Sequence, residues 1–281
     1  MAPRVEFFFD YGSPFSYLAD SQLKELAART GAEVVYRPIL LGGLLRETGN
    51  SSPLAVEAKR RYMTADLQRW ARRYAVPPPV NEHFPINTIR LMRGAVAAQQ
   101  AGLFPGYHRA IFDAFWARGL DLGDAGVMRE ALEQAGLDAA RLMAMSEEQA
   151  AKDELRRNTA EAARRGAFGA PTFFVGDEMF WGNDRLEFVE RAAAAFGPAK
   201  FALRGLGQVM ARELAPQGIH VAYVNIDGPI DMPVIRQLRP ELKPQEMLAP
   251  AAIAETYCHL AQQERSAWTQ EIDLRPFTEK F

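Results

Sequence analysis

The sequence holds a single cysteine, Cys258, in 281 residues, so no disulfide can close within the chain. That excludes a disulfide-stapled framework and fits a reducing cytoplasm, the expected location. Histidine is scarce as well: His83, His108, His220 and His259 are scattered without metal-ligand spacing, and no metal site is expected. No apolar run approaches the roughly 20 residues of a membrane-spanning helix. Met1 to Arg4 lead into a strand-like segment with no leader pattern, so no membrane association is expected. Charge of one sign is missing too, because 33 Lys and Arg against 35 Asp and Glu leave a formal net charge of -2. Such a chain offers no broad basic field, and nucleic acid is not an expected partner. What is present is a 48% hydrophobic chain, long enough for one large domain or two small ones.

Val5 to Asp10 is an apolar, aromatic-rich run of strand length, and Phe15 to Thr30 repeats apolar residues at helical spacing before Gly31 supplies a stop. Glu33 to Pro38 reads as a second strand, giving a parallel strand-helix-strand unit. From about 53 to 165 the pattern is helical, with segments near 53–75, 87–102, 104–118, 124–135 and 146–165. After Gly169-Ala170-Pro171, Thr172 to Val175 and Glu178 to Trp181 flank the turn pair Gly176-Asp177, a hairpin signal, and a helix over 184–196 closes the unit. This is the order of an α/β thioredoxin-like fold interrupted by an all-helical insertion domain. Pro171 stands where that fold uses a cis proline facing the first helix's N-terminus; a trans proline ending a loop is the alternative.

Ser13-Pro14-Phe15-Ser16 lies at the first strand-to-helix junction. In the thioredoxin architecture a Cys-x-x-Cys pair occupies this place, its first thiol acidified by the helix terminus. In this chain both sulfurs are replaced by hydroxyls, which cannot exchange disulfides. Either the site has lost its chemistry, or Ser13 holds a thiol brought by another molecule. Ser at an N-cap followed by Pro at N1 is also an ordinary helix start.

Phe9-Asp10-Tyr11-Gly12-Ser13-Pro14-Phe15-Ser16-Tyr17-Leu18-Ala19, Asp66-Leu67-Gln68-Arg69-Trp70, Gly169-Ala170-Pro171-Thr172 and the run from Gly176 through Trp181-Gly182-Asn183-Asp184 to Arg185 resemble 2-hydroxychromene-2-carboxylate isomerases, relatives of the kappa-class glutathione transferases. The resemblance covers residues 1–196 and implies glutathione as cofactor. It places Ser13 on the glutathione sulfur as the catalytic residue. Ala170 and Pro171 meet the cysteinyl backbone, Trp181, Gly182, Asn183 and Asp184 the γ-glutamyl end, and Asn50 and Lys59 the glycyl portion. Asn183-Asp184 could equally cap the last helix, and Lys59 lies in a basic run that reads as a solvated helix face.

The implied reaction interconverts 2-hydroxychromene-2-carboxylate and trans-o-hydroxybenzylidenepyruvate by thiolate addition, bond rotation and elimination. A developing enolate calls for a cation or amide donor opposite the sulfur, and Asn87 and Arg90 are the candidates. Phe168, Trp181, Phe112, Phe115 and Trp116 are core by habit, with one or two, Phe168 foremost, expected to line the pocket of a small aromatic substrate. A kappa-class transferase or peroxidase is the neighbouring alternative, and a homodimer is expected.

Residues 198–281 form a second domain, a partial Rossmann-like α/β tail resembling the last third of short-chain dehydrogenases. That family's Tyr-x-x-x-Lys appears as Phe196-Gly197-Pro198-Ala199-Lys200, without the phenol, and no Gly-rich dinucleotide loop precedes it. A nicotinamide-dependent oxidoreductase therefore lacks both its acid and its cofactor cradle. Strands over 219–226 and about 269–274 are expected, as are a role in structure or oligomerisation and a buried Cys258 thiol beside His259.

Overall fold

A computed structural model describes residues 3–278, with the side chains of 195–202 and 237–238 outside the description. The side chains of Phe196 and Lys200 therefore lie outside the described residues. Two compact units divide the chain, one ending at Ala194 and one beginning at Ala195.

In the first unit, β1 (Arg4–Phe9) leads to α1 (Pro14–Thr30) and β2 (Glu33–Pro38), followed by the helices α2 (Leu41–Glu47), α3 (Glu57–Tyr74), α4 (Ile89–Gln100), α5 (Phe104–Phe112), α6 (Ala125–Gln134), α7 (Ala139–Ser146) and α8 (Gln149–Arg164). The hairpin β3 (Thr172–Val175) and β4 (Glu178–Trp181) completes a sheet of order β2-β1-β3-β4, and α9 (Leu186–Leu214) follows, its first residues belonging to this unit and those from Ala195 to the second. β1 runs parallel to β2 and antiparallel to β3. The central strand is apolar in consecutive positions because both sheet faces are covered. Phe7 and Phe9 enter the larger core, where Phe7 stacks on Phe173 at 5.1 Å. Phe8 points to the opposite core with Phe174, Ile39, Leu44 and Ala162. Each fully buried Phe contributes about 1.5–3 kcal/mol of transfer free energy, so this strand anchors the residues that follow it.

The helical insertion differs from the periodicity in four places. α2 has no counterpart in the expected segments, because Gly42-Gly43 carry no pattern. The segment at 53–75 begins as a 3-10 turn at Pro53–Ala55, and only Glu57 starts the α-helix. The one expected at 104–118 passes at Asp113–Ala117 into a π-turn. The 146–165 segment starts at Gln149 and is preceded by a separate helix, α7, whose N-cap Asp138 accepts from the Arg141 amide. At the closing helix, a 3-10 turn at Asn183–Arg185 precedes α9, which is not stopped at Phe196 by Gly197-Pro198. An interior proline removes one backbone bond and kinks a helix rather than always ending it.

In the second unit, β5 (Tyr223–Ile226), α10 (Pro233–Leu238), α11 (Pro250–Ala261) and β6 (Glu271–Leu274) follow, and β5 and β6 pair parallel with each other. Both strands are shorter than expected. The buried thiol is corrected as well: Cys258 is exposed. α11 buries the stripe Ile253 and Leu260, and position 258 lies off it. Among the described residues no helix is long and apolar enough to cross a membrane.

Candidate functional site

Ser13 is the N-cap of α1, in extended conformation, with Pro14 at N1 and no acidic residue in the first turn. Its Oγ accepts from the Ser16 amide at 3.1 Å and donates to the carbonyl of Ala170 at 2.8 Å. The Ala170-Pro171 bond is cis, in agreement with the fold expected from the sequence. One hydroxyl thus joins the first helix to the loop before the hairpin. Ser16, the other hydroxyl of the junction, is fully buried, and among the described residues its Oγ has no partner.

Asp10 sets the position of Ser13. Its carboxylate accepts from the Gly12 amide at 2.8 Å, the Leu41 amide at 2.7 Å and the Thr88 hydroxyl at 3.1 Å. Burial pushes the Asp10 carboxyl above its ordinary value, against the lowering effect of those three donors. Gly12 is required for close approach: a Cβ there would sit 2.8 Å from Thr88 Cγ2. Sequence reasoning missed Asp10 and Thr88. The available signal was an acid closing the apolar run of β1, directly before Tyr-Gly-Ser.

A cavity of about 500 Å³ opens over this junction, lined by Ser13, Ala170, Asn50, Lys59, Phe168 and Trp181 among others. Phe168 and Trp181 face each other with ring centroids 4.8 Å apart. Gly169 lies between them in sequence and beneath Trp181 in space, where a Cβ would come within 2.5 Å of the indole nitrogen. Asn50 donates from Nδ2 to the Phe168 carbonyl at 2.8 Å and accepts from the Ser51 amide, so it fixes the loop before the cis proline. Leu54, Met63, Phe84 and Tyr62 supply further wall that the sequence did not mark. Phe112, Phe115 and Trp116 are core instead.

Beyond Trp181, Gly182 adopts φ 105° and its amide donates to the Pro171 carbonyl at 3.0 Å. Asn183 is buried, its backbone carbonyl accepts from the Tyr74 hydroxyl at 3.0 Å, and its side-chain Nδ2 has no partner. Asp184 pairs with Arg185 at 2.6 Å. Gly182, Asn183 and Asp184 follow the cavity's edge residue Trp181 but do not themselves line it.

Two expected residues are not brought to the cavity. Asn87 uses its Oδ1 to accept from the Ile89 amide at the start of α4, and Arg90 reaches toward the Gly123 carbonyl at 3.5 Å. Neither lines the cavity, so the cation opposite the junction is a different one. Among the described residues Lys59 is the one charged side chain of the lining, and it makes no ion pair there. With the positive end of α1 at Ser13 and no carboxylate on the wall, the site favours an anion with apolar substance attached.

Known proteins share this architecture. The chain is similar to a 2-hydroxychromene-2-carboxylate isomerase of Sphingobium xenophagum, 39% identical over 195 residues that make up 68% of this chain and 97% of that protein. It is also similar to glutathione S-transferase kappa 1 of Rattus norvegicus, 30% identical over 203 residues, 67% of this chain and 90% of that one. A solved 2-hydroxychromene-2-carboxylate isomerase superposes with a TM-score of 0.64 at 32% identity, over 71% of this chain and 98% of that chain. Residues 4–194 match the DSBA-like thioredoxin domain. With a sheet of this order, a cis proline opposite the capping serine and a match over more than half its length, the chain belongs to the DSBA-like thioredoxin family.

Proposed function

We propose that this chain is a glutathione-dependent isomerase that interconverts 2-hydroxychromene-2-carboxylate and trans-o-hydroxybenzylidenepyruvate. The observation that carries the reading is the Ser13 hydroxyl, set at a helix N-terminus and bonded to the carbonyl before a cis proline, in a cavity with one unpaired cation. The named relatives at 35–39% identity support the reaction.

The residues present fit a tripeptide thiol. Ala170, directly before the cis proline, offers backbone groups at the cavity, and Lys59 on its wall is a cation for a carboxylate of the tripeptide. Ser13, Ala170, Pro171, Trp181, Gly182, Asn183 and Asp184 would hold it, with Asn50 and Lys59 at the glycyl end. Bound glutathione supplies a thiolate able to add to a conjugated double bond and leave again after rotation about the resulting single bond.

Holding a thiol of ordinary pKa near 8.5 mostly ionised at pH 7 takes about two pK units, or roughly 2.7 kcal/mol. The α1 terminus offers about 0.3–2 kcal/mol and a hydroxyl bonded to an anion about 1.5–3 kcal/mol, which together suffice. The Ser13 hydroxyl has a single proton, which it donates to the Ala170 carbonyl. When another donor satisfies that carbonyl, the proton is free to turn into the cavity. The Phe168 and Trp181 faces hold the aromatic ring and exclude water. Ser13 is not itself the nucleophile, since none of the described histidines lines the cavity to act as its base.

Replacing Ser13 by Ala should lower glutathione-dependent turnover by about 10²-fold or more, in line with loss of one preorganised donor, with the fold retained at a stability cost of about 0.5–2 kcal/mol for the lost N-cap. Turnover that persists in the variant, or that needs no glutathione, would overturn the reading. The rat kappa relative supports a second reading, a transferase or peroxidase. Conjugation of an electrophilic aromatic outpacing isomerisation would favour it. For residues 198–281 we infer a short-chain-dehydrogenase-like extension without catalytic function of its own, serving structure or the assembly of a homodimer.

A further inference from the structure

A second cavity, of about 610 Å³, shares no lining residue with the first. Its apolar wall is built by Tyr17, Tyr36, Phe104 and Phe112, and the Tyr36 and Phe104 rings lie 5.2 Å apart. Its volume falls within the roughly 300–1,000 Å³ of small-molecule sites.

The lining carries two carboxylates and two cations, and they differ in how they are engaged. Asp20 is engaged twice, by His108 Nε2 at 2.9 Å and by the Tyr36 hydroxyl. The other nitrogen of His108 is committed to the Tyr11 hydroxyl at 3.0 Å. Asp113 is paired with Arg118 at 3.0 Å. Two cations remain on the same lining, Lys24 and Arg109, and among the described residues neither makes an ion pair. Two cations without an ion pair beside four aromatic rings define a ligand with one anionic end and one flat apolar end. An organic cation would find both carboxylates already engaged, a neutral arene would leave both cations unpaired, and an inorganic anion would leave the aromatic wall in water.

We propose that this second cavity binds a small aryl carboxylate, with its ring among Tyr17, Tyr36, Phe104 and Phe112 and its carboxylate on Lys24 and Arg109. Arg109 can engage both carboxylate oxygens, and Lys24 adds a point charge. The site stands apart from the glutathione reading, since it uses none of the residues assigned there.

Calorimetric titration of the full chain with 2-naphthoate, without glutathione, tests this. An Ala58→Trp variant puts an indole on the wall of the first cavity to obstruct it, so that the remaining binding reports the second. In that background 2-naphthoate should still bind, and Lys24→Gln/Arg109→Gln should weaken it at least tenfold. The same double substitution in the otherwise native chain should leave isomerase turnover unchanged. The neutral analogue 2-naphthalenemethanol, which needs no substitution near the second cavity, should bind at least tenfold more weakly than the acid. Loss of all binding in Ala58→Trp, equal binding after the charges are removed, or equal binding of acid and alcohol would each overturn the proposal.

Discussion

At the scale of single residues, the two hydroxyls of the Ser13-Pro14-Phe15-Ser16 junction differ by burial and partners. Ser13 faces the cavity with two hydrogen bonds, whereas Ser16 Oγ is sealed in without one. A buried hydroxyl without a partner costs about 1–3 kcal/mol of desolvation, and its removal returns part of that against a small void. Ser16→Ala should therefore unfold at the same or a higher denaturant midpoint and keep its glutathione-dependent turnover. A loss of activity comparable to that of Ser13→Ala would mean that both hydroxyls serve the thiol. Much of this residue-level picture is legible in the sequence: a Ser-Pro helix start, an X-Pro before a hairpin and aromatics at its edges are local signals. The cation is not. Arg90 at a helix start and Lys59 in a basic helix read alike in sequence, because both patterns describe a solvated face. Only the packing of α3 beside the Ser13 junction puts Lys59, and not Arg90, on the cavity wall.

At the scale of elements, Asp10 ties the end of β1 to the start of α2 through the Leu41 amide and to the start of α4 through Thr88. Leu40 before α2 offers no side-chain cap and Thr88 before α4 turns its hydroxyl to Asp10, so the acid ending the strand reaches both helix starts. Such a role is invisible in sequence, since its partners lie 31 and 78 residues away. α2 escapes sequence reasoning for a related reason: a seven-residue helix containing Gly42-Gly43 is held by tertiary contacts, Leu44 in the smaller core among them. Burial raises the Asp10 carboxyl above its ordinary 3.8, so between that value and the folded one the native state binds the proton more tightly than the unfolded chain. Stability contributed at this position therefore falls as pH rises through that window and is level above it. Asp10→Asn removes the titration and leaves one donor facing an amide nitrogen, at a cost of about 1–3 kcal/mol. Denaturant unfolding across pH 4 to 7 should show the advantage of the native chain over Asp10→Asn shrinking as pH rises. An advantage that grows instead would show the three donors outweighing burial.

At the scale of the whole molecule, every residue assigned to the glutathione site lies at or before Asp184, while the chain continues to 281. The extension's two strands pair parallel over four residues each, Tyr223 with Glu271 through Ile226 with Leu274. Parallel pairs occur in sheets covered on both faces, and a two-stranded one is marginal on its own, so this unit depends on the helices around it. Inside it, Arg204 on α9 is held by Glu271 of β6, and Trp268 stacks on His220 at 4.8 Å. These contacts give the extension internal order of its own. Deleting the residues after 197 separates the two roles. Isomerase turnover per site should remain within about twofold, because the serine cap, the cis-proline loop and Lys59 are all retained; a mutational effect larger than this would correspond to more than ~0.4 kcal/mol of transition-state stabilisation drawn from the tail. Sedimentation should report a smaller assembly if the extension joins protomers. Unchanged assembly size with unchanged turnover would remove the oligomerising role, and a collapse of turnover with the fold of the first unit preserved would make the extension part of the catalytic machinery.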